Sequence, residues 1–189
     1  MALNVVQYEE ILSLLRQVPH LVDELEARHT DFASEVLAWL KLAECALDNN
    51  HLPAVSQVAS CRATLIEATR GVHTKELAFI GRPTSRKIKE AAAGMVLDRC
   101  SDLLNSVIAD RQAVFREAER LSAQVLAVAS AKGLIEACGS GRPHQEFLRC
   151  LGRQVAVDPD LASAHVALVA LVGNTDVLIF LDRGLAALA

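Results

Sequence analysis

Glu26 and His29 stand one helical turn apart in Glu26-Ala27-Arg28-His29, the spacing by which helical bundles present a carboxylate and an imidazole to one metal ion. A centre of that kind needs a second such pair and further carboxylates, and no other Glu-x-x-His occurs in the chain. His29 falls on an apolar stripe, where a hydrogen-bonded core histidine is the simpler explanation. Two looser groups, Cys45 with His51 and Cys61, and Cys138 with His144 and Cys150, lack the short paired spacing of structural zinc sites. No metal and no cofactor is expected. Gly-x-Ser-x-Gly, Walker-type, dinucleotide-binding and His-Glu-x-x-His motifs are all missing, and Gly139-Ser140-Gly141-Arg142 has neither the lysine nor the preceding strand of a phosphate loop. No catalytic residue is assigned, and the expectation is a protein that is not an enzyme.

The most distinctive polar feature is the basic group Lys75, Arg82, Arg86, Lys87 and Lys89. It straddles the expected start of a long helix, where unpaired backbone N–H groups and the helix dipole add to the positive charge. Arg82, Arg86, Lys87 and Lys89 are therefore the candidate anion or partner contacts. The first fifty residues hold nine acidic and three basic side chains, so charge is polarised along the chain. Such a pattern suits an acidic protein surface or a second copy of the chain. Glu76 and Glu90 dilute the group, so nucleic acid is the alternative rather than the leading partner.

The elements that must carry these groups are helices. Of 189 residues, 52% are hydrophobic and only 4% aromatic, a balance dominated by Ala, Leu and Val that suits close helix packing. Leu3 to Gln17 reads as an amphipathic helix ended or kinked at Pro19. Val18, Val22, Leu25, Phe32, Val36, Trp39 and Ala43 then form a heptad-like stripe, predicting one long helix to Asp48. Trp39 on that stripe is the candidate apolar partner contact. A further helix runs from Pro53 to about Arg70, followed by a connector from Val72 to Pro83 with Leu77, Phe79 and Ile80 tucked inward. Thr84 or Ser85 caps the next helix.

Ser85 to Lys132 contains no proline and ends at Gly133, predicting a second long helix of about 72 Å at roughly 1.5 Å per residue. A helix of that length must kink, protrude or pair, and a break or a homodimer is expected. After the Gly139 to Pro143 turn, helices are predicted at His144 to Val157, Pro159 to Val172 and Thr175 to Leu188. A strand hairpin about Gly173-Asn174 is the competing reading for the last two.

Ala156-Val157-Asp158-Pro159-Asp160-Leu161-Ala162-Ser163-Ala164-His165, with Leu168, resembles the junction between consecutive tetratricopeptide repeats. A step of 34 residues back from His165 and Leu168 reaches Ala131 and Leu134, one repeat length. Trp39-x-x-Leu42-Ala43 with Asn50 and Leu52 is similar to the first helix and turn of such a repeat. The likeness spans about a third of the chain. Val55 and Phe147 stand where the pattern has small residues. What the resemblance implies is a scaffold for binding proteins or peptides.

The five cysteines are widely spaced with no Cys-x-x-Cys, so reduced, mostly buried thiols are expected. Glu9 and Glu10 interrupt any leader-like run, and the longest apolar stretches are too short to cross a bilayer, giving a cytoplasmic expectation without membrane contact. The reading is an all-α helical bundle with two long helices and a helical-hairpin C-terminal module. Its expected division is 1–133 for the long-helix bundle and 134–189 for the module, which could also form one domain with it. The expected role is protein–protein interaction, as an adaptor, chaperone or regulatory subunit that forms a homodimer.

Overall fold

The computed structural model describes residues 3–72, 83–139 and 141–188, and every described element is α-helical. In chain order they are α1 (Val5–Leu15), α2 (Val18–Glu26), α3 (Phe32–Asn49), α4 (Val55–Thr69), α5 (Ser85–Ala131), α6 (Leu134–Gly139), α7 (His144–Val157), α8 (Ala162–Val172) and α9 (Asn174–Leu188). The hairpin reading of the C-terminal apolar runs is overturned: Val166–Val172 and Val177–Leu181 lie within α8 and α9. Gly173, at φ 84°, supplies the left-handed turn that separates the two helices. The connector residues Leu77, Phe79 and Ile80 lie outside the described residues.

The single helix expected over 18–48 is corrected to two. Ala27 ends α2, Arg28 enters the left-handed region at φ 56°, and α3 starts at Phe32. His29 N–H donates to the Glu24 carbonyl at 3.0 Å and Arg28 N–H to the Leu25 carbonyl at 3.0 Å, which satisfies the last carbonyls of α2. Arg86 Nη2 also donates to the Arg28 carbonyl at 2.7 Å. α5, by contrast, is one unbroken helix of 47 residues, without the break expected there. Thr84 opens it, its Oγ1 accepting from Lys87 N–H at 3.3 Å, and Gly133 follows its end at φ 70°.

The chain groups into two compact units, Val6–Ala109 and Met1–Val5 with Asp110–Ala189. The division falls inside α5. In the first unit, α3 packs on α4 and α2 on α3. Phe32, Val36, Trp39, Leu40, Ala43 and Leu47 of α3 are buried with Val58 and Leu65 of α4 and with Ala92, Val96, Cys100 and Leu104 of α5. Spacings of three and four place each set on one helix face, so burial follows the 3.6-residue period.

In the second unit, α7 packs on α6, α8 and α9, and α8 on α9. Leu151, Val155, Leu168, Phe180 and Leu181 are buried with Val125 and Leu126 of α5. Phe115 and Phe180 place their rings 5.8 Å apart, and Ser122 Oγ donates to the Phe180 carbonyl at 3.1 Å. Gly184 permits the close approach of α9 to α5, because a Cβ there would overlap Leu126 Cδ1. The first described residues join this unit: Val5 N–H donates to the buried Asp176 Oδ2 at 2.9 Å, and Arg111 Nε to the Leu3 carbonyl at 2.9 Å.

Candidate functional site

Trp39 is not a surface. It is 2% exposed, and its indole N–H donates to the Leu14 carbonyl at 3.0 Å, so the expected partner contact is corrected to a core residue. The α3 part of its apolar stripe faces inward, with Phe32, Val36 and Ala43 also buried. A buried indole that finds a backbone acceptor satisfies its polar atom while burying a large ring.

The expected basic group is partly engaged elsewhere. Arg82, with Lys75, lies outside the described residues. Arg86 pairs with Glu90 at 2.5 Å and holds the Arg28 carbonyl, which ties it to the protein's own groups. Lys87 is exposed and Lys89 half-buried at the start of α5.

A basic surface not foreseen from the sequence forms on the second unit. α7 buries Leu148, Cys150, Leu151, Gly152 and Val155 and turns Glu146, Arg149, Arg153 and Val157 outward. Arg149 and Arg153 are one turn apart, and Arg142 precedes the helix by two residues. A groove of about 520 Å³ is lined by Arg142, Arg149 and Arg153, with Glu146, Gln154 and Val157. A second groove of about 510 Å³ shares Arg149 and Arg153 but has an apolar floor that includes Gly152, Ala156, Val177 and Leu178. A Cβ at Gly152 would stand 3.1 Å from Leu178 Cδ2, so the glycine sets how closely α7 and α9 approach.

Several other basic groups are engaged by carboxylates. Arg62 pairs with Glu44, Arg120 with Glu117, and Lys132 with Asp158 and Asp160. Among the described residues, neither Arg149 nor Arg153 is in a salt bridge; Arg153 Nε donates to the Arg149 carbonyl at 3.2 Å. Val157 and Val166 are 74% and 66% exposed on α7 and α8. Exposed arginines and uncovered apolar side chains thus occur together on this unit.

The Asp158–Asp160 turn between α7 and α8 is held by Lys132 Nζ, 2.7 Å from Asp158 Oδ1 and 2.5 Å from Asp160 Oδ2. The Lys132 hydrogen bond lowers the Asp158 carboxyl below its usual range, and the Asp158 and Asp160 hydrogen bonds raise the Lys132 ammonium. α8 follows α7 at a bend of 118°. Among the described residues no single helix is long and apolar enough to cross a membrane; α7 and α8 reach that length and hydropathy only as this bent pair.

The expectation of reduced, mostly buried thiols fits Cys61 and Cys100 and is corrected at Cys138 and Cys150. Cys138 and Cys150 form a disulfide between α6 and α7, with Cα atoms 5.9 Å apart, and Arg142 Nη1 donates to Cys150 Sγ at 2.7 Å. This removes one support for the cytoplasmic reading, which rested on reduced thiols. Cys61 and Cys100 are both buried, and the Cys61 hydrogen bond together with burial pushes the Cys100 thiol far up, holding it protonated and unreactive.

Glu26, one helical turn before His29 in the sequence, is not among the carboxylates gathered at His29. The carboxylates brought to His29 are those of Glu24 and Glu35, with one ligand-capable atom from each of the three residues lying within 4.8 Å of the others. No family model, curated protein or solved structure matches the chain.

Proposed function

We propose that this chain is a non-catalytic protein–protein interaction module of the adaptor, chaperone or regulatory-subunit kind. Its docking surface is the α7–α9 groove, and its occupant is an acidic, amphipathic helical segment of a partner protein. The observation that carries this reading is the combination at one groove of Arg149 and Arg153, outside any salt bridge, with the apolar floor of Ala156, Val177 and Leu178. An apolar helix face would cover the floor while carboxylates on its flank reach the guanidiniums, which favour bidentate carboxylate partners. The likeness of the Asp158-Pro159 region to tetratricopeptide repeats supports the same class of role.

The test uses a labelled peptide designed as an amphipathic helix with leucine on one face and glutamate on the flanks. Its binding to the full chain is followed by fluorescence anisotropy at two salt concentrations. Binding that weakens with salt and falls more than about tenfold in the Arg149→Glu, Arg153→Glu double variant supports the proposal. Equal affinity for the variant, or equal binding of a lysine-flanked peptide, overturns it. Light scattering on the same preparation tests whether a second copy of the chain, as expected of a homodimer, occupies the groove instead.

A further inference from the structure

We infer that Glu24, His29 and Glu35 form a three-ligand site for a divalent transition-metal ion. Glu24 comes from the last turns of α2, His29 from the turn after it, and Glu35 from the first turn of α3, so twelve consecutive residues supply the whole donor set. The break between α2 and α3 is what creates it. In the continuous helix expected from the apolar stripe, Glu24 and Glu35 would be eleven residues apart, about 16 Å along the axis at 1.5 Å per residue. Folded back through Arg28 at φ 56°, the chain brings one ligand-capable atom of each residue within 4.8 Å of the other two.

Such ligands bind at about 2.0–2.2 Å, so donors sharing one ion stand no more than about 4.4 Å apart. Closing from 4.8 Å asks only small side-chain rotations.

A surface ion pair does not account for the arrangement. His29 Nδ1 lies 3.3 Å from Glu24 Oε2, yet that oxygen is shut off from solvent and accepts no hydrogen bond. An ordinary exposed pair leaves both carboxylate oxygens to water. Here a carboxylate oxygen is turned inward beside an imidazole nitrogen without a donor to satisfy it, which a cation between the two groups would do. The turn is also held from outside the donor set, through Arg86 Nη2 on the Arg28 carbonyl.

The donor types narrow the ion. One imidazole with two carboxylates favours zinc, manganese, iron, cobalt or nickel over magnesium and calcium, which prefer all-oxygen surroundings. With His29 56% exposed and Glu24 23% exposed, the outer side of the site is open, so water completes the coordination.

The experiment treats the full chain with chelator, dialyses it, and titrates it with Co²⁺ and with Zn²⁺, reading heat and visible absorption. One ion per chain is expected, without thiolate charge-transfer absorption. His29→Ala and Glu35→Gln each weaken binding by more than about tenfold, whereas Glu26→Gln leaves it unchanged. Substoichiometric binding, a thiolate signature, or affinity unchanged in both His29→Ala and Glu35→Gln overturns the assignment. His29 is exposed and Glu35→Gln is isosteric, so both variants keep the parent circular-dichroism spectrum, and that spectrum is recorded alongside each titration.

Discussion

Trp39 is the only tryptophan in the chain, so its fluorescence reports one environment. At 2% exposure, with its indole N–H on the Leu14 carbonyl, it joins α3 to the C-terminal end of α1. Replacing it with alanine removes a fully packed bicyclic ring, and losses of about 3–5 kcal/mol are usual for that change. Trp39→Phe keeps most of the ring and gives up mainly the hydrogen bond, about 1 kcal/mol, plus a smaller void. At about 2–4 °C per kcal/mol for a chain of this size, Trp39→Ala should melt on the order of 6–20 °C below the parent. Thermal and urea unfolding followed by circular dichroism measure the loss. Emission from the folded protein should be blue-shifted, and acrylamide should quench it only on unfolding. Emission like that of free tryptophan, or a Trp39→Ala protein within about 0.5 kcal/mol of the parent, would refute the placement of this residue in the core.

Gly184→Ala should lower stability, since its Cβ would overlap Leu126 Cδ1 and Leu126 is fully buried; overpacking of about 1–3 kcal/mol outweighs a helix-propensity gain of at most about 1 kcal/mol, and a variant that melts higher than the parent contradicts this. The Lys132–Asp158 pair adds a pH dependence. Asp158 is depressed in the folded chain, so its contribution is present above the usual carboxyl value of 3.8 and is lost as pH falls through the lower folded value. Lys132 is raised, so its contribution is present below 10.5 and is lost as pH climbs through the higher folded value. Carboxyl chemical shifts should give Asp158 a midpoint below 3.8, moving upward in Lys132→Ala; an unchanged midpoint would rule the pairing out.

Helix type and placement were legible wherever punctuation agreed with periodicity. Pro53 and Gly71 bracket α4, the Gly141-Arg142-Pro143 turn opens α7, and Gly173 separates α8 from α9. The break at 27–31 carries no glycine or proline, and the apolar spacing resumes in register at Phe32 after the gap at His29, so periodicity alone carried one helix across it. What gives it away is burial: Phe32 and Val36 are inside while Val22 is exposed, so the stripe never faced one core along its whole length. Trp39 was misplaced for a related reason, since periodicity identifies an apolar face without saying whether that face is already covered.

The arginine surface on α7 escaped notice because charge was weighed by local density, and Arg142, Arg149 and Arg153 are spread over twelve residues. The four-residue step from Arg149 to Arg153 was the available signal, as it returns to one side of a helix. The Cys138–Cys150 disulfide needed the α6–α7 fold-back to become visible, since a separation of twelve residues does not by itself bring two cysteines together.

The clasp between Val5 and Asp176 bridges 171 positions of sequence. On the ribosome, the Val5 N–H therefore lacks its carboxylate acceptor until α9 has been made, and that unit can only be completed late. Early helices such as α3 and α4 contact each other within a short span and can settle well before then. Deleting residues 3–5 or α9 would accordingly injure the same unit.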